Sequence, residues 1–213
     1  MLKVENIEVY GFEAAIRGAR NPMNSWNLSD SWQSDFTQDG KDGYVIGPND
    51  YKLLKNLCKA GKDHRKWMRM VTLTMDITAP LYWWKEFDTY KVGTVANSCS
   101  TMHKIHAKEF ELDDFSHEHL EDYPKWLLSQ VILEINKNRD DFNKTKDKDY
   151  WWQMIQLLPS SYNQKRTVQL NYEVLNTMYH ARKNHKLDEW HTLCDEIEKL
   201  PYSEFITMNF KED

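Results

Sequence analysis

Cysteine is scarce in this chain, which contains only Cys58, Cys99 and Cys194. The three residues are isolated and odd in number, and they lack the paired spacing of a structural metal site. They therefore predict neither a disulfide framework nor a metal centre, and they are typical of a protein from a reducing compartment. We expect a cytoplasmic protein.

Glycine and proline are also few, with 7 and 6 residues in a chain of 213. A loop-dominated fold or a long interdomain linker would need more of both residue types. The length suits one compact domain with a sizeable core and is short for two ordinary domains. We therefore expect a single domain over residues 1–213.

Long apolar runs are missing as well. No segment approaches the ~20 apolar residues of a membrane span, and the N-terminal MLKVENIEVYGF lacks the apolar core of a signal peptide. We expect a soluble protein without a membrane partner. The net charge of -5 argues against a generally basic protein, so nucleic acid is not an expected partner.

Aromatic residues, by contrast, are abundant, with 9 Trp, 11 Tyr and 8 Phe. They are expected in the core and in any interface. Residues 22–47 are rich in Ser, Asn, Asp and Gly, yet they include Trp26, Trp32 and Phe36. A loop of that length in a compact domain is usually functional or binds a partner.

The N-terminal half mixes strand and helix patterns. The segments predicted there are strands over 4–10 and 67–77 and helices over 12–19 and 48–60. The strands alternate in part and the second is rich in β-branched residues, whereas the helices are stopped by Pro22 and Gly61. A third helix is predicted to begin at Ala79-Pro80 and to reach about Lys91.

The chain from Asp122 onward is predicted to be helical. YPKWLLSQVILEINKN has broad apolar faces, and the polar stretch at 138–149 is predicted to be a surface turn before the next helix. Two final helices are predicted over 169–182 and 187–200. Residues 94–106 fit either a further helix or an irregular active-site segment.

Two histidine pairs are weak candidates for chemistry. His117 and His119 would share one face of a strand and bind a metal ion there. No third ligand is identifiable, so a solvated helix start is the preferred interpretation and no metal is predicted. Cys99 precedes His103 and His106, but no motif typical of a cysteine nucleophile surrounds them.

Two basic clusters are candidates for phosphate contact. The stretch DHRKWMR contains His64, Arg65 and Lys66, for which a solvated corner before the strand is the preferred alternative. Arg17 and Arg20 are three residues apart, which places them on one helical face.

A stripe of four residues marks the helix predicted over 169–182. Asn171, Leu175, Met178 and Arg182 recur at i, i+4, i+7 and i+11. The two apolar residues are predicted to face a core. Asn171 and Arg182 would then be partly buried polar groups, which need partners. They indicate either structural hydrogen bonds or a ligand pocket.

The stretch LPSSYNQKRTVQLNYEVLNTMYHAR resembles the C-terminal half of the flavin-dependent thymidylate synthase (ThyX) family. That family has a Leu-Pro, an Asn that opens a helix and an Arg three turns later, and Leu158-Pro159, Asn171 and Arg182 reproduce this order and spacing. MVTLTMDITAPLYWWKEFDTYK and VYGFEAAIRGARNP are similar to further strand–helix segments of the family. The resemblance thus covers most of the chain.

This resemblance implies an α/β (α+β) architecture with the ThyX-like fold. Its elements would be a central, mostly antiparallel sheet, flanking helices and a helical C-terminal half. It also implies a homotetramer with sites at subunit boundaries.

The chain departs from the family pattern at positions that hold phosphates. Phe87-Asp88-Thr89 stands where the family has Arg-His-Arg, and Ile155 replaces the Arg before the Leu-Pro. Glu173 replaces an Arg that follows the helix-opening Asn, which would place like charge against a phosphate.

The aromatic residues beside these departures have three interpretations. Trp83, Trp84 and Phe87 would supply stacking surfaces for a ring, form subunit contacts or, as the preferred interpretation, belong to the core.

The resemblance also implies which residues carry the function. Ser98 and Ser100 are the expected catalytic residues, and Asn97, Lys85 and Arg20 are expected to contact a pyrimidine nucleotide. The expected cofactor-binding residues are His64, Asn171 and Arg182. The cofactor would be FAD, with NADPH and methylenetetrahydrofolate as co-substrates if a dUMP-like nucleotide is methylated.

Two functions remain open on the sequence alone. The first is a divergent ThyX-like flavoprotein that acts as a methyltransferase. The second is a non-catalytic binding or interaction protein that uses the same scaffold, with the tryptophans of residues 22–47 as a recognition surface.

Overall fold

A computed structural model describes residues 2–34 and 43–209, which form two compact units. Unit 1 contains residues 2–5, 76–89 and 96–167, and unit 2 contains residues 6–34, 43–75, 90–95 and 168–209. Phe36, predicted to lie in a functional loop, is outside the described residues. The expectation of a single domain over residues 1–213 stays a prediction.

The strands form two sheets. They are β1 (Lys3–Tyr10), β2 (Trp32–Ser34), β3 (Gly43–Val45), β4 (Thr72–Pro80), β5 (Val95–Ser98) and β6 (Asn163–Asn171). The larger sheet has the strand order β1-β4-β6-β5, and β2 pairs with β3 in an antiparallel ribbon. The ribbon is in register with Trp32 opposite Val45.

Eight helices are described: α1 (Phe12–Arg20), α2 (Pro48–Lys59), α3 (Leu81–Phe87), α4 (Asp122–Thr145), α5 (Lys148–Leu157), α6 (Tyr172–Arg182), α7 (Asp188–Glu198) and α8 (Glu204–Thr207). Together with the antiparallel sheet they confirm the expected mixed α/β fold with flanking helices. None of the helices described is long and apolar enough to span a bilayer.

Strand β4 begins later than its sequence pattern predicted. Lys66–Arg69 forms a 3-10 helix that buries Trp67 and Met68, so residues 67–71 do not belong to the strand. From Thr72 the strand alternates strictly, and Leu73 and Ile77 are fully buried. This alternation is typical of an antiparallel strand with one face in the core.

Helix α3 is shorter than predicted. It begins directly after Pro80, whose fixed φ suits a helix start, and it ends at Phe87 rather than near Lys91. Trp83, Trp84 and Phe87 are all buried, which confirms that they are core residues. Residues 94–106 contain β5 and turns, not a helix.

Helix α4 is longer than predicted, because it continues through most of the polar stretch expected to be a turn. Asn138 is buried there, and Phe142 packs against the core of unit 1. Lys146 ends the helix in a left-handed conformation with φ 61°. One hydrophobic cluster in the core of unit 1 consists of Ile105, Phe110, Phe115, Leu128, Ile132, Ile135 and Met154.

Strand β6 was not predicted from the sequence, and the predicted start of α6 was therefore too early. Residues 169–171 were predicted to be helical but complete the strand. Asn171 then caps α6, and its side-chain oxygen accepts the N–H of Val174 at 3.0 Å. As expected, Leu175 and Met178 face the core. The helices predicted over 12–19, 48–60 and 187–200 are confirmed.

Candidate functional site on helix α6

A buried ion pair fixes the segment before β4 against helix α6 in unit 2. The Arg65 guanidinium donates through Nε to Glu173 Oε2 and through Nη2 to Glu173 Oε1, both at 2.9 Å. The exposed fractions of the two side chains are 6% and 13%. Glu173 lies in the first turn of α6, where the helix dipole also favours a carboxylate. The pair thus holds His64, the neighbour of Arg65, beside α6.

This arrangement corrects our interpretation of Glu173. The sequence predicted that its charge would face a phosphate, but the carboxylate is neutralised by a two-point contact with Arg65. A bidentate guanidinium–carboxylate pair leaves little net charge to repel an anion. The substitution by glutamate is therefore no electrostatic barrier to an anionic ligand at this end of α6.

An open cleft of about 860 Å³ lies between residues 60–65 and one face of α6. Its lining includes Lys62, His64, Thr177, His180 and Asn209. Lys62 and His64 supply ammonium and imidazole donors, which anions and phosphates accept, whereas the Thr177 hydroxyl donates to the carbonyl oxygen of Glu173 at 3.2 Å. Asp63 also lines the cleft and offsets the charge of Lys62. The cleft is consequently polar rather than strongly cationic.

The floor of the cleft is held by contacts to the C-terminal segment. Asn176 Nδ2 donates to the carbonyl oxygens of Ile206 at 2.7 Å and Met208 at 3.2 Å. His180 Nε2 lies 2.9 Å from the same Met208 oxygen. The sequence analysis missed Asn176, Thr177 and His180, although their i, i+1, i+4 spacing places them on one helical face.

Arg182 ends α6 in an aromatic cage rather than in the cleft. Its Nε donates to Tyr90 Oη at 2.9 Å, and its guanidinium carbon lies 4.7 Å from the Trp190 ring centroid. Stacking on a tryptophan face is a favourable cation–π contact. Arg182 therefore contacts both Tyr90 and Trp190 of α7. These are the partners that its position in the stripe led us to expect.

Asn171 also has a partner of its own, because its side chain caps α6. The loop residue Gly93 passes close to it with φ +80°, and a Cβ at Gly93 would lie 3.0 Å from Asn171 Nδ2 and 3.2 Å from Val174 Cγ2. Residues 90–93 thus cross the N-terminal end of α6 at close approach, which only glycine permits.

Gly93→Ala is expected to lower the free energy of unfolding by about 1–2 kcal/mol, since it adds left-handed strain and crowding to the α6 cap. Urea denaturation followed by circular dichroism measures the loss. Gly61→Ala is the matched control: Gly61 has φ +98° but no atom within 4 Å of its Cβ position. A Gly93→Ala loss no larger than that of Gly61→Ala would contradict the crowding.

Arg20, expected to contact substrate, is buried in a structural network. Its Nε donates to Asp50 Oδ1 at 2.6 Å, while Nη1 and Nη2 donate to the carbonyl oxygens of Ser25 and Leu28. Asp50 also accepts the hydroxyls of Ser29 and Ser31. These contacts engage every guanidinium nitrogen, so we do not include Arg20 in the proposed site.

The remaining expected site residues lie in unit 1 and are exposed. Lys85 projects from α3, and Asn97 and Ser98 lie on β5. Ser100 follows in a turn, where its Oγ accepts the N–H groups of Met102 at 3.2 Å and His103 at 3.0 Å. Ser100 therefore has a visible structural role, and the catalytic roles of Ser98 and Ser100 stay predictions.

Unit 1 contains an arginine that the sequence analysis passed over. Arg166 on β6 donates through Nη1 to Asp88 Oδ1 at 2.8 Å and through Nε to Gln164 Oε1 at 3.0 Å. Its guanidinium carbon lies 4.2 Å from the Trp84 ring centroid. Asp88, which the sequence analysis places at the Arg-His-Arg motif, is thus paired with an arginine from strand β6.

Metal binding finds no support in the part of the chain that the structure describes. No group of three or more His, Cys, Asp and Glu side chains there is arranged to hold a metal ion. His117 Nδ1 instead lies 2.8 Å from the carbonyl oxygen of Phe115.

Comparison with solved structures identifies the fold. The chain is similar to thymidylate synthase X (ThyX) from Helicobacter pylori with FAD and dUMP, with a TM-score of 0.71 and 14% identity over 99% of this chain and 100% of that chain. A second structure of the H. pylori enzyme with FAD and dUMP gives 0.65 and 15% over 95% and 96%. No family model and no curated protein matches the sequence. The chain therefore has a ThyX-like fold.

Proposed function

We propose that this protein binds FAD, with the cleft between residues 60–65 and α6 contributing to the site. The observation that carries the proposal is the Arg65–Glu173 pair, which holds His64 beside the polar face of α6. The cleft supplies donors from Lys62 and His64 for a diphosphate, and His180 holds the floor through Met208. The solved ThyX structures that share this fold contain FAD and dUMP.

In this proposal Asn171 and Arg182 support the site rather than contact the cofactor. Asn171 fixes the start of α6, and Arg182 fixes Tyr90 through a hydrogen bond and ring contacts. A bound flavin would supply hydride chemistry, and the role of these residues is to hold the loop and the helix in position around it.

A pyrimidine nucleotide is the proposed second ligand. The residues that would contact the nucleotide are all exposed: Asn97, Ser98, Ser100 and Lys85. Methylation of a dUMP-like nucleotide with methylenetetrahydrofolate and NADPH, in a homotetramer, is the full extension of the proposal. The Arg-His-Arg motif is replaced, and Asp88 forms an ion pair with Arg166. We therefore propose nucleotide binding as the primary property and catalytic turnover only as its extension.

A non-catalytic interaction protein is the second candidate. The observation that favours it is the exposure of Trp26 and Trp32, at 50% and 55%, in the segment expected to be a recognition surface. Exposed tryptophans are common at the centres of protein interfaces. This candidate predicts a protein that binds neither FAD nor a nucleotide.

The test is a spectrophotometric titration of the purified protein with FAD. Binding is expected to shift the visible flavin bands, and His64→Ala combined with His180→Ala is expected to weaken binding at least about tenfold. His191→Ala is the matched control, since His191 is a half-exposed histidine on α7.

Two results would contradict the proposal. The first is an unshifted flavin spectrum with excess FAD, which would favour the interaction protein. The second is equal FAD affinity in the double histidine variant and the wild type, which would move the site away from the cleft.

A further inference from the structure

Residues 52–69 of unit 2 concentrate positive charge in an acidic chain. This segment contains seven Lys and Arg residues and one acidic residue, Asp63, whereas the chain as a whole has a net charge of -5. The expectation that nucleic acid is not a partner relied on that net charge, which averages over the whole chain. Charge separated in this way creates a local positive potential that the average conceals.

Five of these cations form what we call the basic surface: Lys52, Lys55, Lys59, Lys66 and Arg69. Four of the five are exposed, and Lys55 is partly buried. Within residues 2–34 and 43–209, none of the five forms an ion pair with a carboxylate. Arg65 is left out because it is paired with Glu173, and Lys62 because it lines the cleft beside Asp63. The basic surface therefore consists of cations without counter-charges.

The fold joins the three lysines of α2 to the two cations of the 3-10 helix Lys66–Arg69. The lysines follow the i, i+3, i+7 spacing that places side chains on one helical face. Lys66 and Arg69 are three residues apart, which is one turn of a 3-10 helix. The buried Cys58 Sγ lies 3.8 Å from Met68 Sδ, so the end of α2 packs against the 3-10 helix. The five cations thus belong to one region of the surface.

The exposed face of α2 has the chemistry of a helix that binds in a DNA groove. Asn56 is exposed on the same face as the three lysines. The face therefore has ammonium and amide donors, and the one carboxylate of α2, Asp50, is buried on the opposite side. The major groove of B-DNA, about 12 Å wide, admits an α-helix, and Lys and Asn are common donors to phosphates and to base edges.

We propose that the basic surface binds duplex DNA, with α2 in the major groove and the 3-10 helix against the phosphates. Single-stranded nucleic acid fits less well, because it needs exposed aromatic rings for stacking and Trp67 is only 3% exposed. An RNA duplex has a major groove too narrow for a helix. A membrane fits less well because a basic patch needs a second, apolar anchor for stable attachment, and residues 52–69 expose no large apolar side chain.

This proposal is independent of FAD binding, since neither Lys62 nor His64 is part of the basic surface. Fluorescence anisotropy of a labelled DNA duplex of about 20 base pairs, titrated with the full chain between about 50 and 200 mM NaCl, tests it. The dissociation constant is expected to be micromolar at the lowest salt concentration. The logarithm of the affinity should fall linearly with that of the salt concentration, with a slope of about -3 to -4, because each neutralised phosphate contributes about -0.9.

Lys52→Gln combined with Lys59→Gln is expected to weaken DNA binding at least about tenfold and to reduce the size of the slope by about 2. Lys104→Gln with Lys144→Gln is the matched control. It removes the same charge at two exposed lysines of unit 1 and should change the affinity by less than about twofold. Circular dichroism checks that both variants fold, and lysine and glutamine have similar helix propensities.

An RNA duplex of the same sequence is expected to bind at least about fivefold more weakly than the DNA duplex. No anisotropy change with DNA at about 50 mM salt, equal losses in the two double variants, or equal affinity for the RNA duplex would each overturn the proposal. Binding to vesicles of anionic lipid that persists at a salt concentration where the DNA complex dissociates would also overturn it, in favour of a membrane.

Discussion

Glu173→Ala is expected to lower the free energy of unfolding by about 3–5 kcal/mol, because it leaves the Arg65 guanidinium buried without its carboxylate. Arg65 is 5% exposed, and its two hydrogen bonds to Glu173 are both 2.9 Å long. Removing one partner costs more than the pair itself contributes, because the buried guanidinium then loses the carboxylate that offsets its desolvation. Urea denaturation followed by circular dichroism measures the loss.

Two further variants separate charge from shape at this position. Glu173→Gln keeps the length and one acceptor, so its loss should be smaller than that of Glu173→Ala. The double variant Arg65→Met with Glu173→Leu removes both charges and is expected to recover most of the stability. If the double variant is as unstable as Glu173→Ala, the loss does not come from an unpaired charge.

The same variants connect stability to function. The double variant should fold, yet it lacks the two-point contact that positions His64 beside α6. FAD affinity is therefore expected to fall in a protein of nearly normal stability. A folded double variant with wild-type FAD affinity would show that the pair supports only the fold.

Asp50→Ala is the second substitution with a large expected effect, again about 3–5 kcal/mol. Asp50 is fully buried and accepts hydrogen bonds from Arg20, Ser29, the Asp30 N–H and Ser31. Its removal leaves the buried Arg20 without a counter-charge and releases residues 29–31 from α2. Urea denaturation should show the loss, and Asp113→Ala, at an exposed aspartate, should change stability by less than about 0.5 kcal/mol.

The contribution of Asp50 is expected to depend on pH. Burial by itself raises the pKa of Asp50, but hydrogen bonds from Ser31, Ser29 and Arg20 outweigh burial and hold the pKa below its ordinary value. The stabilisation is therefore complete above the unfolded pKa of about 3.9 and is lost as the pH falls through the lower folded pKa.

Asp50→Asn removes this titration and is the control. The stability difference between wild type and Asp50→Asn should be constant near pH 7 and shrink below about pH 4. A difference that stays constant down to pH 2 would contradict the lowered pKa.

Two departures from the ThyX pattern have the same structural solution. Glu173 and Asp88 each stand at a position that is basic in the family pattern, and each is paired with an arginine from elsewhere in the chain, Arg65 and Arg166. The acidic residues are thus neutralised inside their own units.

Local pattern was sufficient for several elements of this protein. The helices α1, α2 and α7 begin and end close to the predicted residues. Their signals, an apolar period of 3.6 residues and the Pro and Gly stops, depend only on neighbouring residues. The burial of Trp83, Trp84 and Phe87 was also predicted from the sequence, because large aromatic side chains gain most from burying their apolar area. The stripe on α6 correctly indicated partners for Asn171 and Arg182.

Tertiary structure decided the features that depend on distant partners. Residues 163–171 form a strand because they pair with neighbouring strands of the sheet. No pattern in the adjacent residues indicates this pairing. Helix α4 continues through a polar stretch because Asn138 is buried and the partly buried Phe142 packs against the core of unit 1. Arg65 contacts Glu173 across 108 residues of sequence, and Arg20 pairs with Asp50 across 30 residues. A charged side chain finds its partner in three dimensions, so sequence alone determined which charges are present and the fold determined which of them are paired.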